Sequence, residues 1–132
     1  MKLGVIGFPL DHSLSAPMQS AALEAVGLNW TYRNLHTRPG DLGDRVQSLR
    51  APDWRGANVT LPHKQAVLPL LDRLDAGAQA VGAVNCITNQ GGQLVGSNTD
   101  VPALEMEFAR LGGDWGGRAV WILGAGGAAR AC

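Results

Sequence analysis

Short apolar runs and segments of helical period alternate along this chain, and glycine or proline stops nearly every one of them. That alternation confines the fold to an α/β domain built on a mixed, mostly parallel sheet with flanking helices. Lys2–Gly7 is a first strand, stopped by Pro9. Residues 15–26 read as a helix, with Met18, Ala22 and Val26 on one face, Ser15 as cap, Pro17 in the first turn and Gly27 at the end. A strand follows at 29–36, and a short helix at 41–49 with Leu42, Val46 and Leu49 aligned. Residues 55–61 are strand-like and end at Pro62; 63–71 read as helical, interrupted at Pro69; Ala76–Val81 is another short helix. Residues 84–88 and 93–96 flank Gly91-Gly92, a hairpin signal. The clearest amphipathic helix spans 101–111, with Val101, Leu104, Phe108 and Leu111 on one face. Residues 112–117 (GGDWGG) then mark a boundary before a buried-type strand at 118–123.

Composition removes several function classes. Hydrophobic residues make up 45% of the 132, enough to bury a core. Eleven basic and eleven acidic side chains cancel, so the basic excess of a nucleic-acid or polybasic membrane-surface protein is missing. No apolar run reaches the roughly 20 residues needed to cross a bilayer. Cys86 and Cys132 make no disulfide framework, and with His12, His36 and His63 they show no metal-ligand spacing. Reduced thiols and no targeting segment lead us to expect a cytoplasmic protein without a bound metal. The tryptophans are expected in the core or at an interface, and Met18 and Met106, both on helical faces, in the core.

Five stretches can carry chemistry. Gly124-Ala125-Gly126-Gly127-Ala128-Ala129 matches G-x-G-x-x-A directly after a strand. Its first glycine permits a tight turn, and its second lets the backbone approach a pyrophosphate seated on helix N–H groups. An ordinary strand–turn–helix corner has the same outline. Glycine is also abundant overall, 18 residues, roughly twice ordinary usage. Lys64 follows Asn58-Val59-Thr60-Leu61-Pro62-His63 in a chain whose eleven basic residues include only one other lysine, Lys2. Lysine can release its proton near neutral pH where arginine cannot, so Lys64 is either a working acid or a solvated side chain. Asn98-Thr99-Asp100 opens the amphipathic helix, as a cap, as a set of cleft residues, or as both. Ser13 and Ser15 could bind one carboxylate in an extended segment, or serve only the helix start. Asn85 opens a strand as a turn residue or a ligand contact.

Taken in order, Gly4 to Pro9 with His12-Ser13-Leu14-Ser15, Asn58 to Lys64, Gly82-Ala83-Val84-Asn85, Asn98-Thr99-Asp100 and Gly124 to Ala129 resemble shikimate dehydrogenase. The resemblance runs the length of the chain. It implies a substrate-binding α/β domain over 1–100, a connecting helix and linker over 101–117, and at 118–132 the first strand and turn of an NADP-binding Rossmann domain. The implied reaction is reversible reduction of 3-dehydroshikimate to shikimate by NADPH, in aromatic amino acid biosynthesis. In that reading Ser13 and Ser15 hold the substrate carboxylate. Asn58, Thr60, Asn85 and Asp100 bond its hydroxyls, and Lys64 and Asp100 form the catalytic pair. Gly124, Ala125, Gly126, Gly127 and Ala128 line the pyrophosphate.

The family order Ser-Pro followed by Met-His is altered here to Ser15-Ala16-Pro17-Met18-Gln19. Pro remains compatible with a first helical turn, so the serines are expected to keep their places. One strand and part of a helix cannot complete a dinucleotide site. The chain is therefore expected to be an N-terminal piece of a monomeric or homodimeric enzyme, inactive as a dehydrogenase by itself. The alternatives are an NAD-using quinate/shikimate dehydrogenase and a non-catalytic shikimate-binding module.

Overall fold

The computed structural model describes residues 1–113 and 116–132. Six strands form one sheet: β1 (Lys2–Gly7), β2 (Thr31–His36), β3 (Gly56–Val59), β4 (Arg73–Leu74), β5 (Cys86–Gln90) and β6 (Gln93–Ser97). Their order is β2-β1-β3-β5-β6-β4. The β2/β1, β1/β3 and β4/β6 pairs are parallel, and β3/β5 and β5/β6 are antiparallel. Among the described residues the α-helices are α1 (Ser15–Ala25), α2 (Leu42–Ser48), α3 (Ala76–Val81) and α4 (Asp100–Leu111). The mixed sheet matches the expected fold class.

Alternation along the strands divides the core in two. Ile6, Leu35, Ala57, Val59, Ile87 and Leu94 meet Leu42, Val46 and Leu49 from the α2 segment in the larger cluster. On the other face Val5 and Tyr32 pack with Leu10 and with Leu23 of α1. The same alternation puts Asn34 and Asn58, the two register partners of Val5, on the α1 face. Two asparagines of the strands, Asn34 and Asn58, thus lie on the α1 side, while Asn89 of β5 shares the face of Ile87 in the larger cluster.

Local signals explain most of the ends. Asp75 caps α3 by accepting from the Ala78 N–H at 2.7 Å, and Gly82 ends that helix in the left-handed region. Gly91 and Gly92 both have positive φ, 65° and 94°, as a two-residue hairpin requires. Behind that hairpin the buried Asn89 amide donates to the carbonyls of Leu49, Ala51 and Trp54, tying β5 to the end of α2.

Several expectations are corrected. Residues 118–123 form no strand; Trp121 is 92% and Leu123 97% exposed. A strand exists by pairing its backbone groups, and no described strand pairs with this run. The helix expected after the glycine-rich turn is a single 3-10 turn, Ala129–Ala131. The 63–71 segment is a series of turns with a 3-10 turn at Leu68–Leu70, which places Pro69 where no N–H is needed. It leads into β4, a two-residue strand too short to show a period. Helix α1 buries Leu23, not the face of Met18 and Val26, both of which are exposed. Met106 and Trp121 are exposed as well, and Trp30 and Trp54 are half-buried. Trp115, with Asp114 in the linker, lies outside the described residues. Helix α4 starts at Asp100 and has no fully buried residue.

Gly56 decides where β3 sits. Its φ is 154°, and a Cβ there would lie 2.1 Å from the Ile87 carbonyl oxygen, a backbone atom of the neighbouring strand. Gly56→Ala is expected to destabilise the chain by about 2–4 kcal/mol in chemical denaturation. Gly43→Ala, in α2 with open space around the added methyl, should instead stabilise by about 0.5–1 kcal/mol. Equal effects of the two substitutions would contradict this packing.

Candidate functional site

The polar cluster lies where β3 and β6 end and α4 begins. Lys64 is fixed by its own backbone: the Val84 N–H donates to the Lys64 carbonyl at 2.7 Å. The preceding His63 is buried, and its Nε2 lies 2.7 Å from the Thr37 carbonyl oxygen. A carbonyl only accepts, so Nε2 carries the hydrogen. This bond ties the turn before Lys64 to the end of β2.

From that anchored turn the Lys64 ammonium donates to Asp100 Oδ2 at 2.7 Å. The other Asp100 oxygen accepts from Asn85 Nδ2, also at 2.7 Å. Both partners of the ion pair are partly shielded, with 16% and 29% of their side chains exposed. Asp100 also sits in the first turn of α4, where unpaired N–H groups favour negative charge.

Asn85 organises this corner. Its Nδ2 also donates to Thr99 Oγ1 at 2.9 Å, and its Oδ1 accepts from the Thr99 N–H at 2.9 Å. Asn98 supplies a second brace: its Oδ1 accepts from the Asp100 N–H, and its Nδ2 donates to the Ala83 carbonyl. Thr99 stands at the cap position of α4 but makes no side-chain capping bond. The capping reading of Asn98-Thr99-Asp100 therefore holds only through Asn98, while Asp100 is aimed at Lys64.

Asn58 joins from β3. Its Oδ1 accepts from the Tyr32 hydroxyl at 2.7 Å, and its Nδ2 faces the Asn85 carbonyl at 3.5 Å. Burial pushes the Tyr32 phenol up to about 12, with the nearby Cys86 thiol adding to the rise. Burial likewise raises the Cys86 thiol, against a lowering hydrogen bond from Ser97.

Thr60, Leu61, Pro62, Lys64 and Gln65 line a cavity of about 820 Å³ whose far wall is Gly126, Gly127 and Ala128. The close approach depends on glycine: a Cβ on Gly127 would stand 2.6 Å from the Lys64 Cβ. Gly124 has φ 119°, a conformation that favours glycine, while Gly124 and Ala125 are exposed and do not line this cavity.

Ser13 and Ser15 are half-buried in the loop after β1 and the first turn of α1. Leu14, not Ser15, occupies the cap position, and Ser13 Oγ accepts from the Ser15 N–H at 3.3 Å. Pro17 falls in the first turn, so the shifted proline leaves the helix start intact. Asn34 supports this loop by donating to the Leu10 carbonyl at 3.4 Å, and its Oδ1 is buried without a partner. Lys64, Asp100, Asn85 and Asn58 thus form one bonded network, with Thr60 and the glycine-rich turn beside Lys64. The serines stand apart from it: none of their described hydrogen bonds reaches it. Tyr32, Asn34 and the bracing role of Asn98 escaped sequence reasoning. A period-two pairing of Tyr32 with Asn34 in β2 was the one available signal.

Fold and cluster together define a mixed α/β domain of the substrate-binding class, with a glycine-rich turn closing one side of its polar cluster. The chain belongs to the shikimate dehydrogenase family: the family model for the shikimate dehydrogenase substrate binding domain matches residues 5–87. It is 51% identical over 130 residues to a shikimate dehydrogenase (NADP(+)) of Geobacter metallireducens, covering 98% of this chain and 46% of the relative. The corresponding protein of Salinibacter ruber is 47% identical, with 96% and 45% covered. Among solved structures, shikimate 5-dehydrogenase of Thermus thermophilus in complex with shikimate superposes with a TM-score of 0.89 at 40% identity, over 99% of this chain and 50% of that one. The same enzyme with NADP(H) and shikimate gives 0.88. The chain spans about half the length of the curated relatives it matches.

Tyr32 is the one tyrosine in the sequence, so its ionisation can be followed alone by absorbance at 295 nm. Its midpoint should fall at about 12 in the folded chain and return to about 10 in denaturant. The folded state holds this proton more tightly than the unfolded one. The stabilisation is therefore intact below pH ~10 and lost as pH rises toward the folded value. A folded-state midpoint at the ordinary tyrosine value would show the phenol to be solvated.

Proposed function

We propose that this chain supplies the substrate-binding half of an NADP-dependent shikimate dehydrogenase, catalysing reversible reduction of 3-dehydroshikimate to shikimate. The observation that carries the reading is the Lys64–Asp100 pair, 2.7 Å apart, beside a cavity walled on one side by the glycine-rich turn. Residues 1–100 bind substrate, 101–117 connect, and 118–132 open the nucleotide-binding domain.

The chemistry follows from charge. NADPH, when bound, supplies the hydride; Gly124, Ala125, Gly126, Gly127 and Ala128 would hold its pyrophosphate. The tight approach of Gly127 to Lys64 fits a backbone cradle that a side chain would fill. Negative charge develops on the ketone oxygen as the ketone is reduced, so a proton donor must lie within hydrogen-bond reach. Lys64 is that donor and takes the proton back in the reverse direction. Asp100 orients the ammonium through Oδ2. Its Oδ1 is engaged by Asn85, which holds the carboxylate at a fixed angle. Ser13 and Ser15 bind the substrate carboxylate, and Asn58, Thr60, Asn85 and Asp100 its hydroxyls, Asn85 and Asp100 by accepting on their oxygens since both Asn85 N–H groups are donated internally. A solved neighbour from Listeria monocytogenes is described with shikimate and NAD, which keeps NAD as the alternative cofactor. The ligands are small molecules in either case, and among the described residues no helix is long and apolar enough to cross a membrane.

Shikimate should raise the melting temperature of the 132-residue chain. Ser13→Ala should weaken its binding by roughly 10–150-fold, the loss of one hydrogen bond to a charged group. No thermal shift with shikimate would remove the proposal. Catalysis can be tested in a chimera that continues this chain with the C-terminal half of the Geobacter metallireducens relative. There Lys64→Ala should lower kcat by about 10²–10⁴-fold with KM little changed. A raised KM with kcat intact would make Lys64 a binding residue only.

A further inference from the structure

Which end of the Asn58 carboxamide meets a ligand is decided by its two neighbours. On one side lies the Asn85 carbonyl oxygen, 3.5 Å from Nδ2. A carbonyl cannot donate, so the amide end facing it must be the NH2 group. The other end is then the oxygen, and the Tyr32 hydroxyl, 2.7 Å away, must donate to it. At 3.5 Å the Asn85 contact is long for an N–H···O bond and engages at most one of the two N–H groups. The second remains a donor for a ligand hydroxyl.

Tyr32 is suited to hold this arrangement. It is 7% exposed, inside the small core with Val5, Leu10 and Leu23, so its hydroxyl has little access to water. It belongs to the edge strand β2, which supplies no residue to the proposed site. Leu3 of β1 is its register partner, and Val5, on the same face, is the partner of Asn58. The phenol thus reaches beneath β1 to the second strand over. Burial favours its protonated, donating form, consistent with the raised phenol pKa.

We infer that Tyr32 is a positioning residue: its hydroxyl locks the Asn58 carboxamide so that the amino end faces a substrate hydroxyl. This rests on reading the cluster as a shikimate site.

The test is a double-mutant cycle on the 132-residue chain, with shikimate affinity measured by calorimetry and the Asn58 side-chain amide followed by NMR. Tyr32→Phe should weaken shikimate binding by about threefold to tenfold. In an Asn58→Ala background the same change should cost nothing further. The Asn58 amide pair, assigned by its loss in Asn58→Ala, should shift and broaden in Tyr32→Phe. Equal losses in both backgrounds, an unchanged affinity, or an unchanged amide pair would overturn the inference while leaving the functional reading in place. Failure of the wild-type chain to bind shikimate would overturn both. If Tyr32→Phe does not fold, the wild-type chain still decides. A Tyr32 hydroxyl proton protected from solvent exchange is expected, and exchange at the solvent rate excludes the bond.

Discussion

One residue, Asn85, holds three separate parts of this molecule in register. Its backbone carbonyl accepts from Val59 at the end of β3, and its N–H donates to Ser97 at the end of β6. Its carboxamide closes a reciprocal pair of bonds with Thr99 and reaches Asp100 at the start of α4. Asn85 is 9% exposed, so these groups have few solvent alternatives. A buried amide left unpaired costs about 1–3 kcal/mol, which makes this bonded arrangement strongly preferred. The Lys64–Asp100 pair inherits its geometry from this corner. Asp100 is aimed because Asn85 and Asn98 hold the first turn of α4, and Lys64 is aimed because Asp100 is.

The division of labour between the two faces of the sheet follows from the period of a strand. Residues pointing one way form the larger apolar core with the α2 segment, which can be close-packed because it contains few polar groups. Residues pointing the other way mix Val5 and Tyr32 with Asn34 and Asn58, under a helix that contributes Leu23 to the core. Such a face cannot become a dry core; its amides require partners. Some of those partners are internal, as in the Tyr32–Asn58 bond. The long Asn58–Asn85 contact leaves one N–H of Asn58 unengaged, whereas the Asn34 oxygen is buried without a partner. Close backbone approach at Gly56 and Gly127 then sets how tightly β3 and the glycine-rich turn close around the cluster.

What could be read directly from the sequence was local. Strand and helix alternation, the Gly91-Gly92 hairpin, the short Ala76–Val81 helix, and the buried face of Leu42, Val46 and Leu49 each depend on a few neighbouring residues. The family resemblance rests on equally local motifs and singled out Lys64, Asp100, Asn58 and Asn85, which the fold does bring together. Tertiary structure alone decided which apolar faces became core. Met18 and Val26 share the period of a buried helix face and remain exposed, because α1 meets the sheet through Leu23. It also decided that residues 118–123, with the composition of a strand, form none among the described residues, since a strand requires a neighbour that no local pattern supplies. The partnership of Tyr32 with Asn58, 26 positions apart in sequence, was invisible for the same reason. A hydrogen bond across two strands is specified by sheet order and register, and those are properties of the whole fold.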